Sequence, residues 1–372
     1  MNKIVWVWLA LLGAIGVVSF LLIFSQSGDS GLIDPENRPN PQQSQRVIPA
    51  SKSDQVEIKS PVVNPVPASG KQTYHLNVDG ADREFIVYRP EKLAGSEKTP
   101  VVFMFHGGNE FAENQYQNSG WRQKADEQGL LVVFPQSLKY HVFPQDESQE
   151  HAESEGKYET RWNNYSFDIT LDSAYPDQKI YDDLAFVRAI VTFIEQQYPV
   201  DATRFYATGF SNGGSFTSRL MVEASDLFAA FAPSSSGGVP LKVLLTVDDY
   251  KSDNFTIRPA IQMVGSADPK LARAFGITEF STDESAVDAN NPVRIKFIDP
   301  YLNINELSDD YTYESGRSSS RFIFGVSLSG VVSEAPYQLM IINGMGHIYP
   351  NGNNHRLVAT DYYWEFFKGY SL

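Results

Sequence analysis

The chain contains no cysteine among its 372 residues. Disulfide bonds, thiolate catalysis and cysteine-ligated metal sites are therefore excluded. Positive charge is also scarce, because 30 Lys and Arg stand against 45 Asp and Glu, which gives a formal net charge of −15 at pH 7. Nucleic acids are bound through cationic contacts to phosphate, so an acidic chain of this kind is poorly matched to them. We therefore expect no nucleic-acid partner.

The usual signatures of metal and nucleotide sites are missing as well. The sequence contains no H-E-x-x-H pair, no phosphate-binding P-loop and no G-x-G-x-x-G turn. We expect neither a metal nor an organic cofactor. The composition does supply a core, because 42% of the residues are hydrophobic and 13% are aromatic. This length and composition suit one large α/β domain with additional segments.

The N-terminal segment, residues 1–24, is predicted to cross a membrane. Lys3 is followed by an uncharged run over residues 4–24, which is 21 residues long. About 20 apolar residues span a bilayer, whereas the apolar part of a signal peptide has about 7–15. A long cleaved signal peptide is the alternative. Both alternatives place the protein outside the cytoplasm. A retained segment anchors it in the periplasm or at the cell surface, whereas a cleaved segment makes it a secreted protein.

Residues 25–70 predict a disordered, proline-rich linker. They contain seven prolines and no aromatic residue. Such a composition buries too little apolar surface to form a core. The catalytic domain is accordingly assigned to residues 71–372.

The clearest catalytic motif is the sequence G-F-S-N-G at residues 209–213. An apolar strand precedes it and a helical pattern follows it, which is the context of a G-x-S-x-G nucleophile elbow. Small residues are needed two places from the serine because its backbone is held in a strained conformation. The elbow also places the serine at a helix N-terminus, which favours developing negative charge. Ser211 is therefore predicted to be a nucleophile.

An acid and a histidine follow Ser211 in the order expected for a catalytic triad. Asp268 comes after an apolar strand, and His347 lies in a glycine loop after another strand. An imidazole with a pKa near 6.5 suits taking the serine proton, and an aspartate would orient that imidazole. An Asx-type turn is the structural alternative for Asp268, and His355 is the later rival to His347.

The sequence His106-Gly107-Gly108 ends an apolar strand and indicates an oxyanion hole. Glycine lets the backbone approach a substrate oxygen without a Cβ in the way. We expect the backbone N–H groups of Gly108 and Asn212 to be the two donors. His106 is expected to stabilise the turn rather than to carry a proton.

Two polar segments leave alternatives open. The aromatic residues within 137–180 suit either a substrate groove or loop packing. The insertion at 270–335 suits either a lid over the site or a decoration of the fold. The aspartates at 182–183 precede the nucleophile strand and are predicted to be helix-capping residues.

These motifs together resemble the polyhydroxybutyrate depolymerase and feruloyl/acetyl-xylan esterase family, over roughly residues 71–372. The resemblance rests on H-G-G at 106–108, D-D at 182–183, G-F-S-N-G-G at 209–214, G-S-A-D-P at 265–269, and G-M-G-H with Y-P at 344–350. It implies an α/β-hydrolase fold, with a mostly parallel central sheet, helices on both faces and loop insertions.

The resemblance also implies a function. It implies ester hydrolysis by Ser211, Asp268 and His347, with Gly108 and Asn212 as oxyanion donors. The expected substrate is a carboxylic ester, linked to a polysaccharide or a polyester. Many secreted members have disulfides, often with cysteine where Gly108 stands, and this chain has none.

Two other functions fit parts of the pattern. A serine peptidase of the prolyl-oligopeptidase type uses the same triad, but residues 71–372 leave no room for its N-terminal propeller. A catalytically silent, membrane-anchored binding domain is the second alternative. Silent relatives usually lose the serine, the histidine or the acid, and all three are present here.

Overall fold

A computed structural model describes residues 67–93, 98–143, 157–167, 171–239 and 254–372. The predicted membrane segment at 1–24 lies outside the described residues, as does the predicted linker apart from its last four residues, 67–70. Within the described ranges, none of the helices combines the length and the apolar character that a bilayer crossing requires.

A ten-stranded sheet forms the centre of the domain, in the order β1-β2-β4-β3-β7-β8-β9-β12-β11-β10. The five neighbouring pairs from β4 to β12 are parallel, and antiparallel pairs flank them on both sides. The predicted mostly parallel sheet is therefore confirmed. The strands are β1 (Gly70–Val78), β2 (Ala81–Arg89), β3 (Thr99–Phe105), β4 (Leu131–Pro135), β7 (Val200–Phe210), β8 (Ala230–Ser234), β9 (Ala260–Gly265), β10 (Tyr311–Ser315), β11 (Ser319–Val326) and β12 (Val332–Ile342).

Helices cover both faces of this sheet. One face packs against α3 and α4, and the other packs against α1, α2 and α7. Every residue of β3, β4, β8 and β9 is buried, which explains why these strands are mostly apolar rather than alternating. The helices are α1 (Ala112–Asn118), α2 (Trp121–Gln128), α3 (Asp183–Gln197), α4 (Asn212–Glu223), α5 (Pro269–Ala272), α6 (Asp299–Ile304) and α7 (Ala359–Phe367).

The sequence predicts a hairpin at Asp79-Gly80 and a helix over Trp121–Gln128, and the structure has both. Asp79 and Gly80 both have positive φ, 54° and 77°, as a two-residue hairpin turn of the favoured hand requires. Helix α1 was not predicted. Its seven residues are mostly polar, and only Ala112, Gln115 and Tyr116 are buried, so no helical apolar stripe marks it.

The 137–180 segment contains a small second sheet that the sequence did not predict. It is formed by β5 (Lys139–Val142) and β6 (Lys157–Thr160), which pair antiparallel. Its strands are too short for a clear alternation. Two of its aromatic residues, Tyr140 and Trp162, are fully buried, so for them the packing alternative holds.

The 270–335 segment contributes to the main sheet rather than standing apart as an insertion. Strands β10 and β11 extend that sheet beyond β12. A π-helical turn, Arg294–Ile298, packs on the loop that follows β8, where the N–H of Gly238 donates to the carbonyl of Lys296 at 3.2 Å. The segment therefore forms an edge of the sheet and a wall over the end of β8.

The capping prediction for residues 182–183 is right for Asp182 and wrong for Asp183. Asp182 accepts from the N–H groups of Leu184 and Ala185 at the start of α3. Asp183 faces the interior, where its Oδ1 accepts from Arg83 Nη2 at 2.6 Å, and both side chains are fully buried. Burial raises the pKa of Asp183, and the Arg83 charge opposes that rise.

Candidate active site

Ser211 occupies the sharp turn between β7 and α4. Its backbone has φ 54° and ψ −118°, a strained conformation for a residue with a side chain. A Cβ at Gly209 would lie 2.3 Å from the carbonyl oxygen of Gly213, and a Cβ at Gly213 would lie 2.4 Å from that of His106. Both flanking glycines are therefore required by close backbone contacts, which is the physical content of the G-x-S-x-G pattern.

The structure brings the three predicted triad residues into one hydrogen-bonded chain. His347 Nε2 lies 2.8 Å from Ser211 Oγ, and His347 Nδ1 lies 2.7 Å from Asp268 Oδ2. The Asp268 carboxylate is fully buried, and its Oδ1 also accepts from the N–H groups of Lys270 and Leu271 at the start of α5. The turn-capping alternative for Asp268 is thus also correct, because each carboxylate oxygen has its own task.

The loop that carries His347 is fixed against the end of β9. The N–H of Ala267 donates to the carbonyl of Met345 at 3.1 Å, and a Cβ at Gly265 would lie 2.0 Å from the same oxygen. His355 does not reach the triad. Its Nδ1 accepts from the N–H of Leu357 at 3.1 Å, so this ring nitrogen is engaged within its own loop.

The turn at 106–110 leaves one backbone N–H group available for an oxyanion. Gly107 donates to Glu110 Oε2 at 2.9 Å, and Asn109 donates to the carbonyl of Thr160 at 2.9 Å. Among the described residues, no acceptor lies on the N–H of Gly108 or on that of Asn212. These are the two N–H groups that the sequence predicts as oxyanion donors.

His106 stabilises this turn as a neutral imidazole. It is fully buried, and burial lowers its pKa to about 4. Its Nδ1 donates to the carbonyl of Gly107 at 2.7 Å, while its Nε2 accepts from the N–H of Ser137 at 3.1 Å. Both ring nitrogens are engaged, so His106 is unsuited to carrying protons.

A short segment, residues 160–163, holds both predicted oxyanion donors in place, and sequence reasoning missed it. The N–H of Trp162 donates to Asn212 Oδ1 at 2.7 Å, and the amide of Asn212 donates back to the carbonyl of Trp162 at 3.3 Å. The indole N–H of Trp162 donates to the carbonyl of His106 at 3.0 Å. One tryptophan therefore ties the serine helix to the H-G-G turn.

Arg161, in the same segment, packs directly on Gly108. A Cβ at Gly108 would lie 2.5 Å from Arg161 Nη1 and 2.8 Å from its Cζ. Arg161 Nη2 pairs with Glu159 at 2.9 Å, and its Nε is buried without a hydrogen-bond partner. The space that a side chain at residue 108 would occupy is therefore filled by the guanidinium group of Arg161. In the sequence, this contact is indicated by the glycine at position 108 alone.

We expect Gly108→Ala to lower kcat by up to about 100-fold, because the added methyl group meets the guanidinium group of Arg161, which Glu159 holds, and pushes the N–H donor out of line. Replacing Arg161 by alanine removes the clash. The double variant Gly108→Ala/Arg161→Ala should therefore differ from Arg161→Ala alone by less than about tenfold. Steady-state kinetics on p-nitrophenyl acetate measure all three variants, and additive effects would contradict the proposed contact.

A metal site is not evident in the part of the chain that the structure describes. Within those ranges no group of three or more His, Asp or Glu side chains is arranged to hold a cation.

Comparisons with known proteins point to esterases. No family model matches the sequence. The chain is 28% identical over 160 residues to the bifunctional acetylxylan esterase/xylanase XynS20E of Neocallimastix patriciarum, which covers 43% of this chain and 19% of that protein. It is 26% identical over 208 residues to the putative esterase NocK of Nocardia uniformis subsp. tsuyamanensis, covering 55% and 49%. The matched regions thus span about half or less of these curated relatives.

A solved structure has the same fold. The acetyl xylan esterase from Aspergillus awamori superposes with a TM-score of 0.51, and the match covers 80% of this chain and 99% of that one. The sequences are 14% identical in this match, so the similarity shows a shared fold.

Proposed function

We propose that this chain, an α/β-hydrolase related to esterases, is a serine carboxylic-ester hydrolase that acts through an acyl-enzyme. The observation that carries the proposal is the hydrogen-bonded chain from Ser211 Oγ through His347 to the buried Asp268 carboxylate. A serine hydroxyl is a weak nucleophile unless a positioned base takes its proton. This arrangement supplies that base and its orienting acid.

In the first half of the reaction, Ser211 Oγ attacks the ester carbonyl and its proton passes to His347 Nε2. The N–H groups of Gly108 and Asn212 hold the oxyanion of the tetrahedral intermediate, and one such donor is typically worth about 10²–10³ in rate. Asp268 keeps the imidazole in the tautomer with its proton on Nδ1 and stabilises the imidazolium. His347 then protonates the departing alcohol, which leaves the acyl group on Ser211.

In the second half, water replaces the alcohol. His347 removes a proton from the water molecule as it attacks the acyl-enzyme carbonyl. The same two N–H groups hold the second oxyanion. Its collapse breaks the bond to Ser211 Oγ, the proton on His347 returns to the serine, and a carboxylic acid is released. No step needs a metal or an organic cofactor.

The substrate class rests on the relatives and on the sequence motifs. An acetyl or feruloyl ester linked to a polysaccharide is favoured, since one curated relative is named as an acetylxylan esterase. A polyester of the polyhydroxybutyrate type is the second candidate within the same chemistry. Both need the same triad and differ in what binds beyond the reacting ester.

A substrate panel tests this proposal. The full-length protein would be assayed with p-nitrophenyl acetate, butyrate and octanoate, methyl ferulate, acetylated xylan and 3-hydroxybutyrate oligomers, beside a peptide p-nitroanilide. We expect turnover of at least one ester and none of the anilide. Cleavage of the anilide would favour the peptidase alternative. No turnover of any ester by folded protein would contradict the proposal and favour a silent binding domain.

We further propose an extracytoplasmic location, with residues 1–24 as a membrane anchor or, if cleaved, as a signal peptide. The support is the uncharged run over residues 4–24 that follows Lys3. Cell fractionation with N-terminal sequencing tests it. Protein found with an intact N-terminus in the cytosol would contradict the proposal.

A further inference from the structure

The small sheet formed by β5 and β6 has one buried face and one open face. Tyr140 and Val142 are buried beneath it, next to Phe167. His141 and Tyr158 stand directly opposite each other in the pairing, so they point to the other side together with Lys139. This open face carries aromatic side chains that the core does not use.

The open face continues into a row of exposed aromatic rings. Phe111, Tyr158 and Tyr175 are 45%, 58% and 41% exposed. The amino group of Lys139 lies 5.7 Å from the Phe111 ring and 5.8 Å from the Tyr158 ring. His141 lies 4.7 Å from Tyr158 and stacks on Tyr175 at 3.6 Å, with 6° between the ring planes. We name Phe111, Lys139, His141, Tyr158 and Tyr175 the aromatic strip.

Backbone hydrogen bonds fix the far end of this aromatic strip. The carbonyl of His141 accepts from the N–H of Asp172 at 2.9 Å, and the backbone N–H of His141 donates to Gln178 Oε1 at 2.9 Å. The N–H of Tyr175 donates to the carbonyl of Asp172 at 3.0 Å. Rings presented on a fixed backbone lose little conformational entropy when a ligand covers them.

The near end of the aromatic strip adjoins the oxyanion turn. Thr160 lies on the same face of β6 as Tyr158, and its hydroxyl donates to the carbonyl of Glu110 at 2.6 Å. Its own carbonyl accepts from Asn109, one residue after Gly108. Phe111 follows on the same turn. A chain lying on the strip would therefore lead to the carbonyl-binding end of the site.

The chemistry of the strip selects among extended ligands. Flat rings alternate with an ammonium group and two phenol hydroxyls, which offer hydrogen bonds beside apolar faces. A sugar ring matches this, because its C–H face is apolar and its rim carries hydroxyl groups. A polyester surface would fit an unbroken apolar patch better. A polyanion is poorly matched to the strip, because the strip offers a single lysine and the chain has a net charge of −15.

We propose that the aromatic strip is a binding site for a neutral polysaccharide chain, which it holds while an ester on that chain reaches Ser211. The inference rests on the proposed esterase function and specifies its substrate as polymer-linked. It assigns to the strip the binding of sugar units beyond the reacting ester, and leaves the reaction itself to the triad.

Binding can be measured apart from turnover. Full-length protein carrying Ser211→Ala would be run in native gels containing xylan, glucomannan or hydroxyethyl cellulose. We expect at least one polymer to retard it, and Tyr158→Ala/Tyr175→Ala to abolish that retardation. The matched control is Tyr311→Ala, an exposed tyrosine on β10 at the far edge of the sheet. No retardation by any polymer, or equal retardation of the strip variant, would overturn the inference.

Kinetics distinguish a failure of the strip from a failure of the esterase. In a chain with intact Ser211, Tyr158→Ala/Tyr175→Ala should raise KM for an acetylated form of the retained polymer about tenfold. Its kcat/KM for p-nitrophenyl acetate should stay within about twofold of the unaltered protein, since that small ester does not reach the strip. Equal losses on both substrates would refute a polymer site, whereas inactivity of the unaltered protein would refute the esterase proposal alone.

Discussion

Replacing Ser211 by alanine should lower kcat for ester hydrolysis by about 10⁶-fold. The variant loses the attacking oxygen and the hydrogen bond to His347 Nε2, so the other two triad members have nothing to activate. The remaining turnover should be that of water attacking an ester held near the two backbone donors. Kinetics on the best ester of the panel measure the loss.

Ser211→Ala should leave the fold and its stability unchanged. Alanine has the same Cβ as serine, so the strained turn at residue 211 and its backbone hydrogen bond to the carbonyl of Ser234 are retained. Circular dichroism and thermal unfolding should match the unaltered protein. Ser215→Ala, one helical turn along α4, is the matched control and should retain full activity. Ester turnover by Ser211→Ala above about a hundredth of the original rate would place the nucleophile elsewhere.

The parts of the site that were predictable from sequence are those that carry local signals. The turn at Ser211 needs small neighbours, and Asp268 and His347 each follow a buried strand, so spacing and composition reveal them. The central parallel strands were also predictable, because burial on both faces makes them continuously apolar. The α/β class was expected from length and composition, and the resemblance of the motifs implied the α/β-hydrolase fold.

The 160–163 segment was not predictable because its role is entirely tertiary. Trp162 contacts Asn212 across 50 positions and His106 across 56. Arg161 packs against Gly108, which follows a different strand, β3. Short polar strands such as β5 and β6 also lack the alternation that would reveal them. Sequence patterns therefore identified the reacting groups, while the groups that position them became evident only in three dimensions.

The same segment connects the two proposals. Thr160 and Trp162 lie between the open face of β6 and the two predicted oxyanion donors. A polymer that rests on the aromatic strip thus rests on the element that fixes those donors. Its binding energy then holds the polymer-linked ester at the site, so the aromatic strip lowers KM for the polymer and leaves kcat to the triad.

Replacing Asp268 by asparagine should lower kcat about 10⁴-fold. An amide whose oxygen keeps the cap turns its NH2 donor toward His347 Nδ1. Nδ1 must then accept, which favours the tautomer whose Nε2 carries the proton and is unable to accept from Ser211. The substitution also removes the negative charge that stabilises the imidazolium. KM should change little, because Asp268 is fully buried and lies behind His347 from the serine.

The stability of these variants separates the two tasks of Asp268. Asparagine can still accept from the N–H groups of Lys270 and Leu271, so Asp268→Asn should keep the cap of α5. Asp268→Ala should be as inactive and should also lose about 1 kcal/mol of unfolding free energy with the cap. Urea unfolding with kcat measured on the same samples tests both. Near-normal activity in Asp268→Asn would mean that another acid orients His347, and equal stability of the two variants would mean that the cap contributes nothing. A loss of activity with stability retained in the asparagine variant alone would assign Oδ2 to catalysis and Oδ1 to the fold.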